Sequence, residues 1–164
     1  METSDETDGA YEHIEVFLPP GGEGPPLHYH KNFEESFEVL EGELKILYGE
    51  GEKVLKAGNT LVVPKETNHT FLNASDENDV TFGVKIEPAH QFEQSMRILY
   101  GLIEDGKTDE EGLPHNKIHA ALILDMQDSR VVKLPFLLKL LLNYLAKRGR
   151  NKGIDQELIQ TYAK

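Results

Sequence analysis

Turns punctuate residues 11–87 at short, even intervals, and this constrains the fold more than any other feature of the sequence. The punctuation is Pro19-Pro20-Gly21-Gly22, Glu41-Gly42, Gly49-Glu50-Gly51, Ala57-Gly58-Asn59 and Asn73–Asp79. Between these lie strand candidates at Tyr11–Leu18, Leu27–His30, Ser36–Leu40, Leu44–Tyr48, Lys53–Leu55, Thr60–Val63, Thr70–Asn73 and Val80–Ile86. Short strands joined by Gly-rich turns predict an antiparallel sandwich or barrel. Pro64 stops the run Leu61-Val62-Val63, because proline has no N–H to give to a central ladder.

The pattern changes at Pro88. Gln91–Ile103 places Phe92, Met96, Leu99 and Ile103 at helical spacing, which reads as a core-facing stripe. Ile118–Met126 is apolar and fits helix or strand. Leu134–Arg148 reads as a second helix, with Pro135 in its first turn, Lys147 and Arg148 in its last, and Gly149 as its cap. Ile154–Ala163 is one more short helix. The chain therefore divides into a mainly β domain over residues 1–90 and a helical extension over 91–164, packed on the barrel or at a dimer interface. The leucine stripe of 134–145 reads as packing; a basic amphipathic helix on a membrane surface is the alternative.

Composition removes several classes of chemistry. With no cysteine among 164 residues there is no disulfide framework, thiolate zinc site, iron–sulfur cluster or cysteine nucleophile. A formal charge of −12 argues against nucleic acid as partner. The charge is uneven: residues 1–112 carry −17 and residues 113–164 carry +5. The opening METSDETDG has neither the positive start nor the apolar run of a secretory signal, so a cytoplasmic protein is expected. The apolar stretch Leu134–Leu142, broken by Pro135 and Lys139, is too short to span a bilayer.

Of the seven histidines, His28 and His30 matter first. On a strand their side chains share one face, about 7 Å apart along it. Glu34 and Glu35 follow, and a returning Ser36–Leu40 strand would bring a carboxylate beside the imidazoles. His69, from a distant strand, would complete a set of three nitrogens and one oxygen. Such a set suits Fe(II), Mn, Ni, Cu or Zn without selecting among them. His13, His90, His115 and His119 have no comparable context and read as surface or structural residues.

These segments resemble the two motifs of the cupin family. From Gly22, five residues lead to His28-Tyr29-His30; Glu35 follows after four more, and Gly42 after a further six, as in the first motif. Gly58, Pro64, His69 and Asn73 fall at the positions of the second, with Glu66 standing where glycine is usual. The resemblance covers about residues 11–88. It implies a small antiparallel β-barrel (a jelly roll) with one divalent transition metal ion at its centre. It implies His28, His30, Glu35 and His69 as ligands, since only Glu35 keeps the step to Gly42, which leaves Glu34 facing outward. Phe37, Val39, Leu61, Val63 and Phe71 share side-chain parity with these ligands and would line an apolar pocket, with Asn73 at its edge or bracing the His69 strand. A positive φ at Glu66 would cost on the order of 1 kcal/mol.

The family spans many activities, so fold alone does not give one. The complete ligand set in an apolar, aromatic pocket points to a metal-dependent dioxygenase of the quercetinase-like kind acting on a small organic molecule, with Glu35 as general base. A non-enzymatic small-molecule sensor is the alternative. A sugar isomerase or epimerase ranks lower, because phosphate recognition favours arginine and the first one is Arg97, beyond the barrel. The apolar outer strands and the leucine-rich helix need cover, which predicts a homodimer.

Overall fold

The computed structural model describes residues 2–163 and resolves two compact units. One runs to His90 and also takes in Arg130–Val132; the other holds Gln91–Ser129 and Lys133 onward.

The first unit consists of two antiparallel sheets. One has the order β1-β8-β3-β6, formed by β1 (Glu12–Leu18), β8 (Val80–Glu87), β3 (Glu34–Glu41) and β6 (Thr60–Val63). The other has the order β5-β4-β7-β2-β9, formed by β5 (Gly51–Lys56), β4 (Glu43–Tyr48), β7 (His69–Asn73), β2 (His28–Tyr29) and β9 (Arg130–Val131). Alternation along the strands sends Phe37, Val39, Leu44, Ile46, Leu55, Val63, Phe82, Val84 and Ile86 into one core. Aromatic rings bridge the sheets: Phe71 of β7 lies 5.2 Å from Phe82 and 5.7 Å from Phe37.

Two expectations about pairing need correction. Ser36–Leu40 does not return beside His28–His30; β3 belongs to the facing sheet, where it pairs with β6 and β8. The strand beside β2 is β7, with His28 directly opposite His69. No strand was expected at 130–131, yet these residues flank β2 on its other side, with Tyr29 opposite Arg130. A two-residue pairing carries no period for a sequence to display.

The second unit is helical: α1 (Phe92–Glu104), α2 (Lys117–Met126), α3 (Phe136–Asn151) and α4 (Ile154–Tyr162). Ile98, Leu102, Ala121, Leu122, Met126, Ala146 and Leu158 form its core. The ambiguous 118–126 run is helical, and Asn116 caps it by accepting from the Ile118 N–H. Pro135 is the cap residue of α3 rather than a first-turn residue. Gly149 does not end α3. It is buried inside the helix, where a Cβ would come within 2.8 Å of both Ile118 and Leu122, so the glycine serves the close approach of α2. The left-handed glycine is Gly153, which starts α4 at φ +72°.

Gly42, between β3 and β4, has φ +81°, and a Cβ there would sit 2.3 Å from the Asp79 carbonyl oxygen. Glu66 takes φ +61° in the turn before β7, and its N–H donates to the His30 carbonyl oxygen at 2.7 Å. That bond ties the turn before His69 to the end of the strand carrying His28, at the expense of a left-handed conformation glycine would adopt freely. Glu66→Gly is expected to raise the unfolding free energy by about 1 kcal/mol, read from urea denaturation. No change, or a loss, would show that the glutamate side chain compensates for its own strain.

Candidate metal centre

Four side chains converge between the two sheets. His28 leaves β2, His30 follows it, and His69 projects from β7, all from one sheet; Glu35 crosses from β3 of the other. One potential ligand atom from each lies within 4.8 Å of all the others. All four residues are buried, with exposures of 4%, 3%, 1% and 5% for His28, His30, His69 and Glu35. The ring centroids of His28 lie 4.7 Å from those of His30 and 4.4 Å from those of His69. Glu35 Oε2 is 2.7 Å from His69 Nε2, and Glu35 Oε1 is 3.6 Å from His30 Nε2.

Local backbone geometry orients two of the rings. The Nδ1 of His28 lies 2.9 Å from the Pro26 carbonyl oxygen, and the Nδ1 of His69 lies 2.9 Å from the Thr67 carbonyl oxygen. A carbonyl only accepts, so each Nδ1 carries the proton, and each Nε2 is left with a lone pair facing the cluster. His69 Nε2 and the Glu35 carboxylate are then both acceptors at 2.7 Å. Buried acceptors meet at that distance only through a shared proton or a cation. The donor chemistry therefore fits a divalent metal ion.

The electrostatics agree. Burial pushes the pKa of His28 down to about 4, and the adjacent His69 and His30 add to the effect. Burial also opposes charge on His69, but the hydrogen bond and negative charge of Glu35 outweigh it and raise its pKa. Burial would raise the pKa of Glu35; the bond to His69 and the fields of the three imidazoles hold it below the usual carboxylate range.

The residues expected to line the pocket divide. Phe37, Val39 and Val63 are buried in the core, with Val63 opposite Glu35 in the ladder and the Phe37 ring 6.3 Å from that of His69. Phe71 and Leu61 are half-buried. Asn73 is a brace: its Nδ2 donates to the carbonyls of Pro19 and Asn78 at 2.9 and 2.8 Å, and its Oδ1 accepts from the Ser75 N–H. Its amide holds turns together, which is the bracing role expected of it and not the pocket-edge one. Glu34 is half-buried and opposite Glu87, outside the cluster.

Sequence reasoning missed Phe33. It is fully buried and stacks on His30 at 4.3 Å with an interplanar angle of 25°, and the His90 ring lies 5.7 Å from it. The available signal was a single aromatic in the polar run Lys31-Asn32-Phe33-Glu34.

Because the pKa of His69 is raised, a proton competes with a metal for its Nε2. Uptake of Zn2+ or Ni2+ near neutral pH is expected to release protons, and affinity should fall as pH drops from 8 to 6. Calorimetry in buffers of different ionisation enthalpy measures the release. An affinity flat across that range would remove His69 from the ligand set.

Residues 14–85 match the family model described as a cupin domain. A curated relative, a probable oxidoreductase (virH) of Hypocrea virens, is 36% identical over 93 residues, covering 53% of this chain and 42% of its own. The chain thus spans less than half the length of that relative. Among solved structures, a cupin protein of Bacteroides fragilis aligns with a TM-score of 0.46 at 24% identity, covering 49% of this chain and 67% of its own. A sugar phosphate isomerase of the cupin superfamily from Silicibacter pomeroyi aligns with a TM-score of 0.46 at 27% identity, covering 53% and 57%.

Proposed function

Because its β unit, through residues 14–85, belongs to the cupin superfamily, we propose that the chain is a metal-dependent oxidoreductase, a dioxygenase of the quercetinase-like kind, acting on a small enol-bearing organic molecule. The observation that carries the reading is the convergence of His28, His30, Glu35 and His69 on one buried point between apolar sheets. The oxidoreductase relative supports this direction over isomerisation. The first arginine of the chain, Arg97, lies outside the β unit, which holds a single guanidinium, that of Arg130 in β9.

The roles follow from position. His28, His30 and His69 hold the ion as neutral donors, two of them locked in the right tautomer by backbone carbonyls. The chemistry a bound divalent ion supplies is polarisation of a substrate oxygen and an electron path to O2. Glu35 is the one carboxylate in the cluster. It accepts the proton of the substrate hydroxyl at Oε2 and thereby generates the electron-rich enolate that O2 oxidises. Both atoms of O2 enter the product, so no external reductant is required. Phe33, Phe37 and Phe71 keep the surroundings apolar, which strengthens the charge interactions within.

Two measurements test this. The His28→Ala, His69→Ala double variant should lose the one equivalent of transition metal found in the parent by elemental mass spectrometry. Glu35→Gln should retain metal yet slow O2 consumption on a flavonol or related enol by about 10²- to 10⁴-fold. Metal-loaded parent that consumes no O2 across such a panel would sink the dioxygenase reading and leave a metal-binding module.

A further inference from the structure

Helix α3 carries more apolar surface than its own unit uses. Ala146 and Gly149 are buried in the helical core, and Leu142 and Leu145 pack against it. Phe136, Leu137, Leu140, Leu141 and Tyr144 lie outside that core and are between 47% and 77% exposed. The leucine-rich stripe of the sequence is thus two faces, one used in packing and one left in water. At about 100° per residue, the five exposed side chains fall within an arc of about 140°, centred opposite Ala146, Gly149 and Leu142. A continuous apolar face of this kind on a helix surface marks an interaction site.

The charges on this face indicate what it meets. Residues 129–154 hold no Asp or Glu. Arg150 is paired with Asp125 and Asp155, and Lys139 is half-buried. Lys133, Lys147, Arg148 and Lys152 are exposed. Lys147 and Arg148 fall within the same arc as the apolar side chains, one turn beyond Tyr144, so the face runs from apolar to cationic. Tyr144 stands at the junction, an aromatic ring with a polar tip, the residue type that suits the headgroup level of a membrane. A second copy of the face is a poor occupant. Laid parallel, two copies set cation against cation; laid antiparallel, they set Lys147 and Arg148 against Lys133 and the positive N-terminal end of the helix. An anionic phospholipid surface offers the complement to both halves, acyl chains for the apolar side chains and phosphates for the cations. Residues 113–164 carry +5 against −17 over residues 1–112, so the attraction acts on the part of the chain that holds the helix. No helix among the described residues is long and apolar enough to cross a bilayer, so α3 would lie on one rather than span it.

We propose that the exposed face of α3 binds the surface of an anionic phospholipid bilayer, with the helix in the interfacial plane, Phe136, Leu137, Leu140, Leu141 and Tyr144 among the acyl chains and Lys147 and Arg148 on lipid phosphates. The opposite face stays packed in the helical core, so the unit binds without unfolding. The proposal rests on the helical unit alone and does not depend on the oxidation chemistry.

The chain has no tryptophan, so Phe136→Trp places a single reporter on the face. In the intact chain its emission should be that of a water-exposed indole. It should shift to the blue with phosphatidylcholine–phosphatidylserine vesicles and be quenched when their acyl chains are brominated. Co-sedimentation of the parent with these vesicles should weaken by at least about 10-fold for Leu137→Asp and for Lys147→Glu combined with Arg148→Glu. Unchanged thermal melting confirms that a variant folds; Leu137→Gln replaces the aspartate if it does not. A parent chain that fails to sediment with the vesicles overturns the proposal. So does binding equally strong to phosphatidylcholine alone, or binding that Leu137→Asp leaves intact. Blue emission before any lipid is added also overturns it, since the face is then covered by protein, a second copy included.

Discussion

A carboxylate oxygen and an imidazole nitrogen held 2.7 Å apart, both buried between apolar sheets, set the terms for the whole β unit. Left without a counter-ion or proton, that contact would be costly, since the surrounding core offers little to solvate charge. The chain meets the cost locally. Glu35 comes from one sheet and the three imidazoles from the other, so the two sheets are joined at their centre by polar contacts as well as by the Phe37–Phe71–Phe82 cluster. The arrangement holds together with a proton between His69 and Glu35 and is completed by a cation.

Precision in such a centre depends on what stands behind the side chains. His28 and His69 are neighbours in the ladder, and each rests its Nδ1 on the carbonyl two residues earlier, Pro26 and Thr67. The Glu66 N–H then clamps the turn before His69 to the His30 carbonyl. The one departure from the cupin-like motifs, Glu66, is thus at the turn before the strand that carries His69, and the left-handed backbone persists there without glycine. Strain retained beside a functional site is a known pattern.

The fold class and the four converging residues were legible in the sequence because each had a local signature: alternating strands between Gly-rich turns, His-x-His, and a fixed step from Glu35 to Gly42. What was not legible was long-range. Nothing in the period of residues 28–40 tells whether β3 pairs beside β2 or faces it from another sheet. Phe33 looked like a lone aromatic in a polar connection, yet it is fully buried against His30. Gly149 had every mark of a helix cap, and only the approach of Ile118 and Leu122 shows why it lies within the helix. Asn73 could be read from the sequence as a brace or as a ligand-facing residue, and the hold of Pro19 and Asn78 on its amide decides for the brace.

The pairing of His28 with Val131 has a consequence for how the protein comes into being. The strand that carries His28 and leads directly into His30 is bordered on one side by residues more than half the chain further on. During synthesis the ribosome releases β1 to β8 well before Arg130 and Val131 emerge, so β2 waits with one edge open while the first helices are made. Closing so large a loop is entropically expensive and slow compared with the hairpins around it. The last strand to border the His28 edge of the centre is thus also the last of the β unit to be synthesised.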